Sequence, residues 1–189
     1  MSRVVAGPDG RLRCPWGAGP SADYTTYHDE EWGRPVHDDA ALFERISLEA
    51  FQSGLSWLTI LRKREAFRTA FARFDPGAVA AFDAEDEARL MADAGIVRNR
   101  AKVSATIANA RAVLELDWPL SELLWSFAPP PDRAAPVTTA DVPAVTAESS
   151  AMAKALRARA FRFVGPTTAY ALMQATGMVN DHLADCELR

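Results

Sequence analysis

The stretch DDAALFERISLEAFQSGLSWLTILRKREAFRTAF, Asp38 to Phe71, decides the fold class. Leu42, Phe43, Ile46, Leu48 and Phe51 recur at helical spacing, and Asp38 or Asp39 is placed to cap the helix they define. Gly54 breaks the pattern. Ser56 then precedes a second helix with Leu58, Ile60, Leu61, Phe67 and Phe71 at similar spacing. Further along, Asp75-Pro76 reads as an N-cap followed by proline at the first helical position. Asp83 caps EDEARLMADA, with Gly95 as its stop. Residues 98–116 predict another helix with Val103, Ile107, Ala110 and Leu114 on one face, and 119–126 predict a short one. A proline-rich connection runs from Ala128 to Pro143. Ser149 or Ser150 then caps MAKALRARAF, and PTTAYALMQAT forms the last helix. Alternation of period two is nearly absent, and only Arg162-Phe163-Val164 looks like a strand. The expected fold is all-α, with short helices packed at steep angles. One domain spans 12–189, preceded by a flexible extension over 1–11.

The 189 residues include 21 Lys+Arg against 25 Asp+Glu, a net charge of −4. With a pI near 5.4, this argues against a polyanion binder working by bulk charge. It leaves room for a local basic patch. Only Lys63, Lys102 and Lys154 are lysines, so arginine, suited to forked phosphate contacts, dominates. The first twenty residues lack the apolar core of a secretory signal. The longest uncharged run, Phe163 to Asn180, is too polar and broken for a membrane span. Two cysteines do not make a disulfide framework. A cytoplasmic location without membrane association is expected.

Three constellations carry chemistry. His182 and Cys186, four apart, can face one point from a single helical turn. With Cys14 and His28 they make a Cys2His2 set suited to a closed, structural tetrahedral zinc site. The alternative is two buried thiols and satisfied histidines. Second, Phe163-Val164-Gly165-Pro166-Thr167-Thr168-Ala169-Tyr170 sits between two helices. Gly165 permits a tight turn, and Pro166 opens a helix whose first amides form an anion site. Ser149 to Asn180 holds Lys154, Arg157, Arg159 and Arg162 and no acid, a local charge of +4. Arg98, Arg100 and Lys102 form a smaller basic cluster. A plain helical hairpin with solvated arginines is the alternative. Third, Trp16, Tyr24, Tyr27, Trp32 and Trp57 crowd the first third of the chain, where they can sandwich a flat apolar or cationic ring. Glu49 lies in the apolar face of its helix, where a carboxylate is costly without a partner. The alternative makes the rings core and pairs Glu49 with Arg45.

Cys14-Pro15-Trp16, Tyr24-x-x-Tyr27-His28-Asp29-x-Glu31-Trp32-Gly33, Leu48-Glu49-x-x-x-x-Gly54-Leu55-Ser56-Trp57, Asp93-Ala94-Gly95-Ile96, Trp125-Ser126-Phe127, Phe163-Val164-Gly165 and Val179-Asn180-Asp181-His182 occur in this order. Over about residues 12–186 the chain closely resembles the 3-methyladenine DNA glycosylase I family of bacterial alkylation-repair enzymes. The resemblance implies a helix–hairpin–helix glycosylase fold, with the hairpin around 150–177. It also implies structural Zn2+ on Cys14, His28, His182 and Cys186, joining the two ends of the chain. Glu49, as the catalytic carboxylate, and Tyr27 would hydrogen bond the extrahelical base, and Trp57 would stack on it. Trp16, Tyr24 and Trp32 would complete the wall. Gln52 and Leu55 match positions near the lesion, with Leu55 a wedge into the vacated stack. Arg162, Gly165, Pro166 and Thr167 belong to the element that grips DNA backbone.

The expected activity is base excision repair by a monomer acting on alkylated double-stranded DNA, releasing free 3-methyladenine and leaving an abasic site. Many relatives with this hairpin carry a nucleophilic lysine where Thr167 stands, so no strand cleavage is expected. Asp181 and Asp185 are expected to be structural. A non-catalytic sensor of alkylated DNA is the rival from another class; the aromatic pocket with Glu49 favours the enzyme.

Overall fold

The computed structural model describes residues 3–189. A short antiparallel ribbon, β1 (Val5–Ala6) and β2 (Leu12–Arg13), precedes nine α-helices among the described residues. The helices are α1 (Ala22–Glu30), α2 (Asp39–Gln52), α3 (Trp57–Ala70), α4 (Pro76–Ala80), α5 (Ala84–Ala92), α6 (Arg100–Leu114), α7 (Leu120–Trp125), α8 (Ala147–Ala158) and α9 (Pro166–Ala175). Of the segment expected as a flexible extension, Met1 and Ser2 lie outside the described residues, and Val5 and Ala6 pair with Arg13 and Leu12. The strand expected at Arg162–Val164 does not form. Its backbone instead turns through Phe163 at φ 56 and pairs with a side chain of α6.

The core is built around α2, in which every residue from Leu42 to Phe51 is buried. A helix buried on all sides must be surrounded rather than laid on a surface. Here α3, α6, α7 and α9 all pack against it. Phe43, Phe51, Phe67, Phe71 and Phe74 form a continuous ring cluster inside this shell, with successive centroids 4.6–6.2 Å apart. Ala72, Arg73 and Phe74 run consecutively at φ of 49, 54 and 57. Such left-handed backbone is costly for residues with a Cβ. It is held because Phe74 is fully buried and stacked on Phe71 at 5.5 Å.

Capping side chains set the helix starts. Asp38 caps α2, accepting from the Ala41 amide at 2.8 Å. Asp39 caps a different helix, accepting from the Leu120 and Ser121 amides at the start of α7. Ser56, Asp75, Asp83 and Asn99 cap α3, α4, α5 and α6. α8 begins earlier than its serines suggest: Thr146 is the cap, and Ser149 returns the bond to the Thr146 amide. The segment before α2 is pinned to the end of α9 by Gly33 N–H to Gln174 O and Val36 N–H to Thr176 O. Gly177, at φ 74, leaves room for that crossing, since a Cβ there would lie 2.6 Å from Arg34 backbone. Thr146→Ala should therefore lower stability by about 0.5–2 kcal/mol, with Ser150→Ala costing less. Urea unfolding of the two variants checks the order.

Candidate active site and metal cluster

α1 brings two sites together. Its adjacent residues Tyr27 and His28 are both buried but serve different neighbours. Tyr27 lines a cavity of about 660 Å³ together with Trp16, Tyr24, Trp32, Glu49 and Trp57. Trp16 meets Tyr24 and Trp32 edge-on, with centroids 6.0 and 5.0 Å away. Trp57, at the start of α3, lies 5.3 Å from the Tyr27 ring. Tyr24 Oη accepts from the Leu58 amide at 3.2 Å, fixing α1 against α3. Trp57 Nε1–H is buried with no acceptor among the described residues.

Glu49 closes the polar side of this cavity at 6% exposure. Burial pushes its carboxyl up to about 8, and Arg45 offsets this only in part. The sequence alternative of a Glu49–Arg45 pair is not what forms. Arg45 donates to Glu31 at 2.7 Å, and its guanidinium lies 5.7 Å from the Tyr27 ring centroid. Arg64 holds Glu31 from the other side at 2.6 and 2.7 Å. Despite burial, these two cations keep Glu31 down at about 2. The charges around the pocket are therefore paired with one another, and Glu49 keeps its hydrogen-bonding capacity for whatever enters.

His28 faces the second site. Cys14, His28, His182 and Cys186 place one ligand atom each within 4.8 Å of one another, all four residues being buried. Their S···N separations are 3.8, 3.7 and 3.5 Å. The edge of a tetrahedron built on metal–S and metal–N bonds of ordinary length is about 3.6 Å, so the donor set fits a four-coordinate ion. The ring nitrogens turned away from the cluster are also fixed. His28 Nδ1 meets Asp29 Oδ1 at 2.8 Å, and His182 Nε2–H donates to Trp32 O at 3.2 Å. Outer partners of this kind select the tautomer a metal requires. Burial lowers both imidazoles, His182 to about 4, and raises the Cys14 thiol to about 12.

The sequence gives little sign of the support behind this cluster. Arg13, 2% exposed, grips Asp29 and Asp9 with paired bonds of 2.7–3.0 Å and so holds Asp29 against His28. On the cavity's far side, Asp181 accepts from Tyr170 Oη at 2.6 Å, Gln174 Nε2 at 2.9 Å and Arg133 at 2.8 Å. Asp185 is exposed. Thr139 and Val142, in the proline-rich connection, also line the cavity.

Gln52 lines the cavity, and Leu55, on the α2–α3 turn, is 42% exposed. Arg162 is exposed on the α8–α9 turn, Pro166 opens α9, and Thr167 is exposed in its first turn. Gly165 is not where that turn needs glycine. Its φ is −103, and the left-handed positions are Ala160 and Phe163. Lys102, grouped in sequence with Arg98 and Arg100, is buried while they are exposed.

The family profile of methyladenine glycosylases matches residues 16–189. The chain is 47% identical over 178 residues to DNA-3-methyladenine glycosylase 1 of Escherichia coli (strain K12), covering 92% of this chain and 95% of that one. A crystal structure of 3-methyladenine DNA glycosylase I superposes with a TM-score of 0.89 at 44% identity, covering 93% of this chain and 98% of that one. A variant of 3-methyladenine DNA glycosylase I in complex with 3-methyladenine gives 0.88 at 35% identity, covering 93% and 96%.

Because burial raises Glu49 from 4.5 to about 8, the folded state holds a proton that the unfolded state releases. Its contribution turns unfavourable as pH rises from about 4.5 to 8. Glu49→Gln should thus be more stable than the parent at pH 8.5 by an amount on the order of a few kcal/mol. The difference should shrink towards pH 5, as read by urea titration at both pH values.

Proposed function

The chain belongs to the methyladenine glycosylase family, and we propose that it excises 3-methyladenine from alkylated duplex DNA by hydrolysing the N-glycosidic bond. The observation that carries this reading is an unpaired buried carboxylate, Glu49, facing a cavity walled by five Trp and Tyr rings. Methylation at N3 gives the adenine a positive charge and weakens its bond to the sugar. Reaching that bond requires turning the nucleotide out of the stack, which costs less for a damaged base. Electron-rich ring faces then favour the cation over neutral bases. Tyr27 and Glu49 supply the hydrogen bonds, Trp57 the stacking surface, and Trp16, Tyr24 and Trp32 the remaining wall.

In the reaction, the C1′–N9 electron pair moves into the purine and cancels its charge. Water oxygen bonds to C1′ and gives its proton to solvent. The products are neutral 3-methyladenine and an abasic site. Thr167 cannot form the imine needed for strand cleavage, so the reaction stops there.

α8, the turn and α9 read as a helix–hairpin–helix that grips DNA backbone through Arg162 and the amides after Gly165 and Pro166. Leu55 and Gln52 enter the space left by the base. Cys14, His28, His182 and Cys186 would hold zinc, which supplies structural cross-linking only, since four protein donors leave no open position. No helix of the described residues is long and apolar enough to cross a membrane, and we place the protein in the cytoplasm as a monomer.

Incubation with methylated duplex DNA should release 3-methyladenine, and absence of release from folded protein would overturn the reading in favour of a lesion sensor. The cationic base stabilises ionised Glu49, which must lose its proton below about 8. Substrate affinity should therefore climb with pH, by up to about tenfold per unit, and level off near 8. Glu49→Gln should weaken binding and flatten that profile. Elemental analysis should find one zinc per chain, and Cys14→Ser should lose it together with much of the stability. Metal-free protein of unchanged stability would contradict the zinc assignment.

A further inference from the structure

Two buried polar side chains of α6 each hold one of the two turns assigned to DNA. Lys102 Nζ donates to Phe51 O at 2.8 Å and to Ser53 O at 2.6 Å. These carbonyls lie at the end of α2, where the helix leaves its last carbonyls unpaired and carries partial negative charge. The turn that follows carries Gly54 at φ 83 and exposed Leu55, whose amide donates to Gln52 O at 2.6 Å. Two turns further along α6, Asn109 forms a paired contact with one backbone unit of the α8–α9 turn. Its Nδ2 donates to Arg162 O at 3.1 Å, and the Arg162 amide donates to Asn109 Oδ1 at 2.7 Å. Lys102 is 7% exposed and Asn109 1%.

Seven residues separate the two, so they project from the same side of the helix about 10.5 Å apart along its axis. Neither participates in the base pocket. Between them Val103, Ala105, Ile107 and others are buried, so the helix carrying both contacts is fixed in the core. A wedge and a backbone grip act on one duplex only if their separation is constant, and both are set on short turns that would otherwise move independently.

We propose that α6 is the spacer that fixes the distance between the Leu55 turn and the Arg162 turn, with Lys102 and Asn109 as positioning residues. This rests on the DNA glycosylase reading above. Loss of either contact leaves buried carbonyls or an amide unpaired and frees one turn relative to the other. A freed turn must be re-ordered on each encounter with DNA, whereas the aromatic pocket is untouched.

The test uses the full chain with Lys102→Met, Asn109→Ala and the double variant. Binding is measured to a duplex holding an abasic-site analogue and, separately, to free 3-methyladenine. Each single variant should weaken duplex binding about tenfold. KM for methylated DNA should rise more than kcat falls, and affinity for the free base should change less than twofold. The double variant should lose much less than the product of the singles, because one freed turn already destroys the spacing. Amide exchange without DNA should accelerate at Leu55 in the first variant and at Arg162 in the second. Lys102→Gln provides the same readout at Leu55 if Lys102→Met fails to fold. Multiplicative losses, unchanged duplex binding, or equal weakening of free base and duplex would overturn the proposal. If the parent neither binds the duplex nor releases the base, the glycosylase reading fails and the spacer role with it. Faster exchange at both turns in that case would leave the two contacts as purely structural clamps.

Discussion

The burial of α2 from Leu42 to Phe51 is the constraint on which the rest depends. These ten successive buried residues include three charges, and two of them are answered from other elements. Glu44 is answered by Arg68 of α3 at 2.8 Å, and Arg45 by Glu31 at the end of α1. These pairs fix the angles at which α1 and α3 approach. Glu49 is the charge left without an ionic partner, and the elements positioned by the other two put Tyr27 and Trp57 beside it. A site for a cationic base, as proposed above, would thus be the remainder of an electrostatic pattern solved elsewhere along the same helix. Burial ordinarily drives such a carboxylate towards its neutral form. On the proposed function a cationic base would reverse that preference, and a neutral base would find a weaker partner in the same pocket.

The cluster of two thiols and two imidazoles acts on the pocket through rings rather than through charge. His182 lies edge-on to His28 and Trp32 with centroids 4.7 Å away in both cases, and Trp16 lies 4.9 Å from His28. Two aromatic walls of the cavity therefore lean on the imidazoles of the cluster. Arg13 and Asp29 stabilise the arrangement from behind, and β2 holds Arg13 in place.

Much of this was legible in the chain itself. The starts of α2 to α5 are written in their caps, and the core positions Leu42, Phe43, Ile46, Leu48 and Phe51 follow from period alone. α1 is invisible to periodicity because its buried face consists of a tyrosine and a histidine instead of aliphatic residues. Its helical form is determined by its neighbours. Glu49 stood out because a carboxylate interrupts an apolar face. Arg13, Lys102 and Asn109 did not, since a buried polar side chain and a solvated one look alike in sequence until the groups facing them are known. Gly165 suggested the wrong hinge for a related reason: backbone strain is carried wherever tertiary contacts over-determine it, and here Asn109 imposes it on the segment around Phe163.

Tyr27 and His28 are consecutive residues of one helix, yet one belongs to the cavity and the other to the ligand cluster. About 100° of helix rotation separates them, so the rotational setting of α1 is a single variable shared by both. The two sites cannot drift apart in evolution. An insertion or deletion in α1 that was neutral for one would exchange its residue for the other's, and a substitution that tilts the helix is filtered twice. Mutational tolerance in this protein should therefore be lowest in a short, polar and unremarkable-looking helix rather than in its hydrophobic core.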